Sequence, residues 1–390
     1  MLVFSWLALA SSVFIIILLF YTVKYIVTLF YPEPPTDFEP NQMIVKFNKS
    51  VCEERATEIH RKNKCTVLEE NNDLGFHLVY TKKNIKKIMS IYNELDEVEY
   101  VEPNYIFKAS YVPNDSFYPF QYGPQKVQAP LAWDVTRSNS SIKIAVVDTG
   151  VQLNHPDLTP KLLPGYNFVD GNTNPSDGNG HGTHVAGIAA AATNNSLGIA
   201  GMAPLASILP VRALDNAGNG TLTNIANAIV YAADQGAQVI NLSLGAPQGA
   251  VTLENAINYA WNKGAFIVAA AGNDGANIIT YPAYYDNVIA VASTDQNDQK
   301  SSFSNYGTWV EVAAPGTNIL STYIGSYYAY LSGTSMACPH VAGLAALLAA
   351  QGKNNIQIRD NIQTTADPIL GTGSYWTYGR INANRAVRQS

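Results

Sequence analysis

The chain has 390 residues, of which 47% are hydrophobic and 14% charged, and its formal net charge at pH 7 is −6. This length accommodates one large domain and a smaller one with substantial cores, and the lack of a basic excess excludes nucleic acid or an anionic surface as an expected partner. Three cysteines, Cys52, Cys65 and Cys338, are too few for a disulfide framework and leave the redox compartment undetermined.

The chain begins with an apolar stretch, residues 2–30, that holds a single charge, Lys24. It is long enough to cross a bilayer as a helix, and its apolar core exceeds the roughly 7 to 15 residues of an ordinary signal peptide. We therefore expect residues 1–30 to export the chain, with a retained signal anchor favoured over a removed signal peptide. Lys24 could reach either interface, so the orientation stays open.

Two further N-terminal segments differ in composition. Residues 31–40 are rich in proline and acids, which predicts an extended linker. Residues 41–110 predict a small domain, with strands at 43–47, 66–70, 75–81 and 98–106 and helices at 53–64 and 84–95. This β-α-β-β-α-β order is typical of a ferredoxin-like α+β sandwich.

From residue 111 onward the chain is rich in Gly, Ala, Asn and Ser, with short apolar runs. The runs predict buried strands at 143–148, 206–214, 238–244, 265–272 and 287–293, and helices at 181–193, 223–235, 253–264 and 336–350. Strands that alternate with helices predict an α/β domain, over residues 111–390, with a parallel sheet and helices on both faces. Ligands bind such a sheet at the carboxyl ends of its strands.

Three polar residues stand at the ends of these elements. Asp148 ends the first strand of the large domain, although a lone Asp-Thr-Gly is also an ordinary strand-to-turn signal. His181 follows a glycine-rich loop at the start of a helix, and Ser335 opens the last long helix, where backbone N–H groups are free. His181 and His184 could alternatively be packed or form half of a zinc site, but no further ligand has metalloprotease spacing.

Carboxylate, imidazole and hydroxyl are the groups that a serine nucleophile requires. In this scheme His181 takes the proton of Ser335 during attack on a carbonyl, and Asp148 orients the imidazole and stabilises its cation. Asn273 lies in a glycine-flanked loop after a buried strand and could donate to the oxyanion, with the N–H of Ser335 as a second donor. An ordinary Asn-Asp-Gly turn is the alternative for Asn273.

The segments VVDTGV, HGTHVAG, SLG, AAGN and GTSMACPHVAG, in this order, resemble the subtilisin family of serine endopeptidases. Residues 111–390 are most similar to its thermitase-type members, through YGPQK, YAADQGA, YAWNKG and YPAYY. The resemblance implies a subtilisin-like fold, catalytic roles for Asp148, His181 and Ser335, and an oxyanion role for Asn273. A peptide-binding pseudoprotease and an esterase are the alternatives, although the esterase G-x-S-x-G motif fails at Ala337.

The same resemblance implies that an extended peptide substrate binds between two segments. The segments are Ser243, Leu244 and Gly245 on one side and Gly218, Asn219 and Gly220 on the other. Leu244 and Leu222 would line one apolar subsite, while Ala270, Ala271 and Gly272 would wall an open primary pocket. We therefore expect broad specificity with a preference for apolar side chains.

Calcium is the cofactor that the resemblance implies. The side chains of Asp115, Asp157 and Asn195 and the carbonyls of Ala192, Leu197 and Ile199 would bind Ca²⁺. Taken alone, Asp157 could be a turn acid or a helix cap. A second site near Asp170 would bind more weakly, because Asn167 and Asn172 replace acids of the relatives.

Residues 41–110 resemble the inhibitory propeptide of the family, which implies a zymogen with an intramolecular inhibitor. Phe107 would lie in the apolar subsite, and cleavage is expected between Ser110 and Tyr111. We expect a secreted, monomeric mature enzyme, released from the membrane by this cleavage if the N-terminal helix is retained. Cys338, where relatives carry a small hydroxyl residue, is expected to be packed, with sensitivity to thiol reagents as the alternative.

Overall fold

The computed structural model describes residues 38–107 and 111–389. These residues belong to two compact units that divide the chain between Ala109 and Ser110. The predicted N-terminal span, residues 1–30, and the predicted scissile bond after Ser110 lie outside the described residues. Among the described helices, none combines the length and apolarity that a membrane crossing requires.

The small unit is a four-stranded antiparallel sheet covered by two helices. Its elements are β1 (Phe38–Phe47), α1 (Glu53–Asn63), β2 (Cys65–Asn71), β3 (Phe76–Thr81), α2 (Ile85–Asn93) and β4 (Val98–Tyr105), and the strand order is β2-β3-β1-β4. Met43 and Val45 alternate along β1 and pack against Ile59 of α1 and Ile88 of α2. The predicted β-α-β-β-α-β fold is confirmed.

The segment expected to be a linker is partly strand. β1 begins at Phe38, whose backbone pairs with Tyr105 of β4, and a register shift follows before Met43. The irregular pairing accommodates Pro40, which cannot donate to a ladder. The composition of residues 31–40 therefore did not reveal where the sheet begins.

An eight-stranded parallel sheet forms the centre of the large unit, in the order β14-β11-β10-β9-β8-β5-β7-β6. Its strands are β5 (Lys143–Asp148), β6 (Tyr166–Asn167), β7 (Ser207–Arg212), β8 (Val239–Leu242), β9 (Phe266–Ala270), β10 (Ile289–Thr294), β11 (Val312–Pro315) and β14 (Gly379–Arg380). Strands β12 (Ile319–Tyr323) and β13 (Tyr327–Leu331) form a separate antiparallel hairpin. The order reverses beside β5, which predicts a ligand site at the carboxyl ends of β5 and β8.

Helices cover both faces of this sheet. They are α3 (Tyr122–Lys126), α4 (Ala129–Trp133), α5 (His181–Ala190), α6 (Leu222–Asp234), α7 (Val251–Asn262), α8 (Thr334–Ala349), α9 (Asn355–Thr365) and α10 (Ala383–Arg388). Alternate residues of β5 enter different cores: Ile144 and Val146 pack in the core that contains α5 and α8, and Ala145 and Val147 in the core that contains α6 and α7. The predicted α/β architecture is confirmed. Both faces of the sheet are buried under helices, which is why its strands are continuous apolar runs in the sequence.

Candidate active site

The carboxylate of Asp148 and the imidazole of His181 are in contact. Asp148 is the last residue of β5 and is fully buried, and its Oδ1 lies 2.8 Å from His181 Nδ1. The N–H of Thr149 donates to the same oxygen at 2.7 Å, while Oδ2 meets no donor among the described residues. A carboxylate only accepts, so Nδ1 carries the proton and Nε2 is left as the basic nitrogen of the ring.

The surroundings of His181 favour its protonated form. Burial alone would lower the pKa of His181, but the charge and hydrogen bond of Asp148 and the charge of Asp177 outweigh it, so this pKa is raised above its ordinary value. An imidazolium that forms during a proton transfer is therefore stabilised here.

Asp177, which the sequence analysis did not identify, joins the loop after β5 to the start of α5. Its Oδ1 accepts from the hydroxyl of Thr149 at 2.9 Å and from the N–H groups of Asn179 and Gly180 at 2.9 and 3.0 Å. Its Oδ2 accepts from the N–H and the hydroxyl of Thr183 at 2.9 and 2.6 Å. An acidic side chain just before a helix accepts hydrogen bonds from the free N–H groups of its first turn. The position of Asp177 ahead of the helix that begins at His181 was therefore the signal in the sequence that could have identified it.

Ser335 lies at the start of α8, beside the end of β8. Its hydroxyl donates to the carbonyl of Ser243 at 3.3 Å, and the hydroxyl of Ser243 donates to the carbonyl of Ser335 at 2.9 Å. Hydrogen bonds among the described residues thus join Asp148 to His181 and Ser335 to Ser243, but none joins His181 to Ser335.

The orientation of the Asn273 amide follows from its partners. Its Oδ1 accepts from the backbone N–H of Thr334 at 2.8 Å and from the Thr334 hydroxyl at 3.0 Å. Because a backbone N–H can only donate, Oδ1 must face it, and the two hydrogens of Nδ2 are directed elsewhere. Asn273 and Ser335 line the same cavity, so this amide is available as a donor beside the serine.

A second residue that the sequence analysis missed, Asn305, holds the loop that carries Asn273. Asn305 is fully buried; its Oδ1 accepts from the N–H of Asp274 at 2.8 Å and its Nδ2 donates to Asp274 Oδ2 at 3.0 Å. Its own N–H donates to the carbonyl of Gly272 at 2.9 Å. No local pattern in the sequence distinguishes Asn305 from an ordinary turn residue.

Two adjoining cavities of about 380 and 430 Å³ share Leu244, Gly245 and Ala246. The first is lined by His181, by both predicted substrate segments and by three apolar residues that the sequence analysis missed: Leu214, Ile225 and Leu253. The second is lined by Asn273, Ser335, Ala270, Gly272 and the exposed Ile278 and Ile279. One expectation is wrong: Ala271 lies in the apolar core. Leu222 is exposed, and its place beside Leu244 in a subsite stays a prediction.

The residues expected to bind calcium converge on one loop. Asp115 and Asp157 are buried; Asp115 accepts from the N–H of Asn194 at 2.7 Å, and Asp157 accepts from Asn195 Nδ2 at 2.8 Å and from the N–H of Ile199 at 2.9 Å. Burial raises the pKa of Asp115 and raises that of Asp157 to about 6, to which the nearby charge of Asp115 adds. Two adjacent buried carboxylates of this kind favour a bound cation.

Backbone features of this loop also fit a cation. Among the described residues, no donor contacts the carbonyl oxygens of Ala192, Leu197 or Ile199. Gly198 has φ +45°, and a Cβ there would collide with Asp157 Oδ2 and the hydroxyl of Tyr328. The described residues contain no cluster of three or more His, Cys, Asp or Glu side chains, so any metal site here must draw on carbonyl and amide oxygens.

The loop expected to bind calcium more weakly is held by its own amides. Asn167 Nδ2 donates to Asp170 Oδ2 at 2.9 Å, and Asn167 Oδ1 accepts from the N–H groups of Val169 and Asp170. The guanidinium of Arg212 lies 4.0 Å from Asp170. An amide and a cation thus occupy the surroundings of the only acid predicted to serve this second site.

His184 and Cys338 belong to the core near the site. His184 Nε2 lies 3.0 Å from the carbonyls of Ile319 and Ala329 in the β12–β13 hairpin, and burial lowers the pKa of His184 to about 4. Cys338 is fully buried, and burial raises the pKa of its thiol. His184 therefore contacts the hairpin, and the packed interpretation of Cys338 fits its burial.

Comparison with known proteins gives matches over both units. A family model described as the subtilase family matches residues 139–386, and one described as the fervidolysin N-terminal prodomain matches residues 30–104. The thermophilic serine proteinase of Bacillus sp. (strain AK1) is 56% identical over 348 residues, which cover 89% of this chain and 87% of that protein. Thermitase of Thermoactinomyces vulgaris is 64% identical over 279 residues, which cover 71% of this chain and 100% of thermitase.

A similar protein is also found among the solved structures. A protease from Pseudoalteromonas arctica matches with a TM-score of 0.66 and 35% sequence identity, over 71% of this chain and 99% of that protein.

Proposed function

The chain belongs to the subtilase family and is a serine endopeptidase preceded by an inhibitory prodomain, and from this premise we propose that Asp148, His181 and Ser335 form its catalytic triad. The observation that carries this proposal is the 2.8 Å contact between the buried carboxylate of Asp148 and His181 Nδ1. It supports a ring whose Nε2 is free to act as a general base. The site also lies at the carboxyl ends of β5 and β8, beside the reversal of strand order.

In the proposed reaction the hydroxyl of Ser335 leaves the carbonyl of Ser243 and turns toward His181 Nε2. His181 removes the hydroxyl proton as Ser335 Oγ attacks the peptide carbonyl, and then gives that proton to the leaving amine. Water then attacks the acyl carbonyl while His181 takes one of its protons, and His181 returns that proton to Ser335 Oγ as the acid product leaves. Asn273 Nδ2 and the N–H of Ser335 donate to the oxyanion in both halves of the reaction.

We propose that substrate peptides bind as an extended strand between residues 218–220 and 243–245. The side chain before the scissile bond would enter the cavity lined by the apolar residues Ala270, Gly272 and Ile278, to which Asp274 and other polar residues also contribute. Peptides with Phe or Leu at this position are therefore expected to be cleaved faster than matched peptides with Lys. A higher kcat/KM for the Lys peptide would contradict the proposed apolar preference.

We also propose that Ca²⁺ binds the side chains of Asp115, Asp157 and Asn195 and the carbonyls of Ala192, Leu197 and Ile199. The buried acids and the uncontacted carbonyls support this ligand set, because Ca²⁺ takes six to eight oxygen ligands. When bound, the ion supplies positive charge that offsets the repulsion between the two carboxylates.

Maturation is proposed to occur by cleavage between Ser110 and Tyr111, with Phe107 in the apolar subsite. The proposed boundaries are residues 1–30 for the export segment, 31–40 for a connection, 41–110 for the propeptide and 111–390 for the catalytic domain. The mature enzyme would be secreted and monomeric. The membrane anchor stays a prediction, because residues 1–30 lie outside the described residues.

Comparison of the wild type with Ser335→Ala tests both catalysis and maturation. The wild type should hydrolyse peptides and yield a protein that begins at Tyr111, whereas Ser335→Ala should lack activity and keep its prodomain. Ser332→Ala is the matched control, because Ser332 Oγ contacts the N–H of Asn318 rather than the proposed nucleophile. Peptidase activity or self-cleavage that survives in Ser335→Ala would refute the proposed nucleophile. A wild type that binds peptides without cleaving them would favour the pseudoprotease, and one that hydrolyses only esters would favour the esterase.

A further inference from the structure

The carboxylate of Asp134 lies against the backbone nitrogen of Tyr111. The N–H of Tyr111 donates to Asp134 Oδ1 at 2.9 Å, and no other polar contact of this carboxylate is found among the described residues. Among the described residues its partner is thus an uncharged amide. Asp134 is exposed, so water solvates its carboxylate, and a cationic group at the Tyr111 nitrogen would add an ion pair of the modest, surface kind.

The ring of Tyr111 is held on the same surface. It packs against the indole of Trp133 with the ring centroids 6.0 Å apart, and the guanidinium of Arg137 lies 4.3 Å from its centroid. Trp133 is buried and donates to the carbonyl of Met202 at 3.0 Å, which fixes the end of α4 where Asp134 follows. The core therefore positions the end of α4, from which the exposed Asp134 side chain extends, relative to the ring.

The residues after Tyr111 are held as well. The N–H of Asn114 donates to Asn194 Oδ1 at 3.2 Å, and Asn114 Oδ1 accepts from the N–H of Ser196 at 2.8 Å. Tyr111 is thus the first residue of a segment anchored at both ends to the large unit.

We propose that Asp134 is a binding site for the α-ammonium group that cleavage before Tyr111 creates, so that Asp134, Arg137 and Trp133 capture the new N-terminus. This inference rests on the proposed maturation. Hydrolysis of the Ser110–Tyr111 bond converts the amide N–H into an ammonium group at the same atom and leaves a carboxylate on Ser110. A cut one residue earlier would place the ammonium about 3.8 Å further along the chain and leave the Tyr111 nitrogen neutral.

The pH dependence of the pair distinguishes an ion pair from an amide hydrogen bond. A carboxylate raises the pKa of an ammonium above the usual α-amino value of about 7.7 to 8.0. The other charged groups near this residue are Arg137 and Asp115, which act in opposite directions on the pKa of the Tyr111 phenol. A group whose pKa is raised on folding stabilises the protein fully below its unfolded pKa, and the stabilisation is lost as pH rises through the folded pKa. The stabilisation of the folded protein by the pair of Asp134 and the Tyr111 ammonium group should therefore be present at pH 6.5 and absent by about pH 10.

The experiment introduces Asp134→Asn into two forms of the protein at constant calcium: mature enzyme blocked by a serine-directed phosphonate, and full chain carrying Ser335→Ala. In the mature form at pH 6.5 the variant should lower the apparent Tm by about 1 to 3 °C, a shift that disappears near pH 10. In the unprocessed form the shift should be smaller and independent of pH. Asp360→Asn, which removes an exposed carboxylate, is the matched control.

A second measurement does not depend on stability. The pH dependence of acylation of the Tyr111 α-amine should show a pKa about half a unit lower in mature Asp134→Asn than in mature wild type. A mature chain that begins elsewhere than at Tyr111 overturns both this inference and the proposed cut. A chain that begins at Tyr111 but shows equal Tm shifts in both forms, or an unchanged α-amine pKa, overturns the inference alone.

Discussion

Removal of calcium, combined with Asp157→Asn, tests the proposed metal site. Without a cation, Asp157 must ionise while buried, and its pKa of about 6 lies above its ordinary value of 3.8. A difference of about 2 pKa units corresponds to a loss of about 3 kcal/mol in the free energy of unfolding. Asp115 adds to this loss, because burial raises its pKa in the same direction.

The sign follows from the raised pKa. A carboxyl group that binds its proton more tightly in the folded state costs no stability below the unfolded pKa and its full cost above the folded pKa. With calcium chelated, the free energy of unfolding should therefore fall as pH rises from about 4 to about 6 and stay low at higher pH. With calcium bound, the free energy of unfolding should change much less over the same pH range.

The assay is thermal unfolding of phosphonate-blocked enzyme at a fixed scan rate, at pH 7.5, with calcium or with a chelator. Chelation should lower the apparent Tm of the wild type by about 5 to 10 °C and that of Asp157→Asn much less. With calcium the wild type should be the more stable of the two, and with chelator the difference should vanish or reverse. Equal responses of wild type and variant to the chelator would refute the reasoning, and Asp360→Asn, whose carboxylate is exposed, should respond like the wild type.

Three further outcomes are expected. Asn273→Ala should lower kcat by about 10² to 10³-fold with little change in KM, a magnitude known from subtilisin itself for loss of this donor; an unchanged kcat would exclude Asn273 from the oxyanion site. Asp177→Asn removes a charge that raises the pKa of His181, so the acidic limb of the kcat/KM profile should move to lower pH, and a limb that stays in place would assign Asp177 to structure alone. Thiol reagents should leave the native enzyme active, because Cys338 is fully buried with a raised thiol pKa, and rapid inactivation at neutral pH would show that the thiol is accessible.

The central strands were predictable because each is apolar on both faces. β5 was predicted with its observed bounds, since Lys143 and Asp148 delimit its apolar run. The two-residue strands β6 and β14 were missed, because their pairing depends on the neighbouring strand rather than on local composition. The four-residue strand β11 was also missed, although all of its residues are buried. The β12–β13 hairpin was missed as well, since its tyrosine-rich sequence does not alternate clearly.

The predicted substrate pocket shows where a local interpretation fails. Ala270 and Ala271 are adjacent at the end of a strand, and successive side chains of a strand point to opposite faces. Ala270, the last residue of β9, lines the cavity, whereas Ala271 follows the strand and enters the core that contains α6 and α7.

The supporting residues could not be predicted in the same way. Asp177 and Asn305 act through hydrogen bonds to backbone groups whose positions depend on the fold, and the sequence contains many Asp and Asn residues in turns. Asn305 lies 31 residues from its partner Asp274 along the chain. Sequence motifs identify the reacting side chains, whereas the groups that orient them become visible only in three dimensions.

Covalent labelling with a serine-directed phosphonate, followed by mass spectrometry of the labelled peptide, tests the proposed nucleophile most directly. The proposed triad predicts one label per molecule on Ser335, fast labelling in the wild type and in Ser332→Ala, and severe loss of labelling in His181→Ala and Asp148→Asn. A label on another serine, or undiminished labelling of Ser335 after removal of the imidazole, would contradict it.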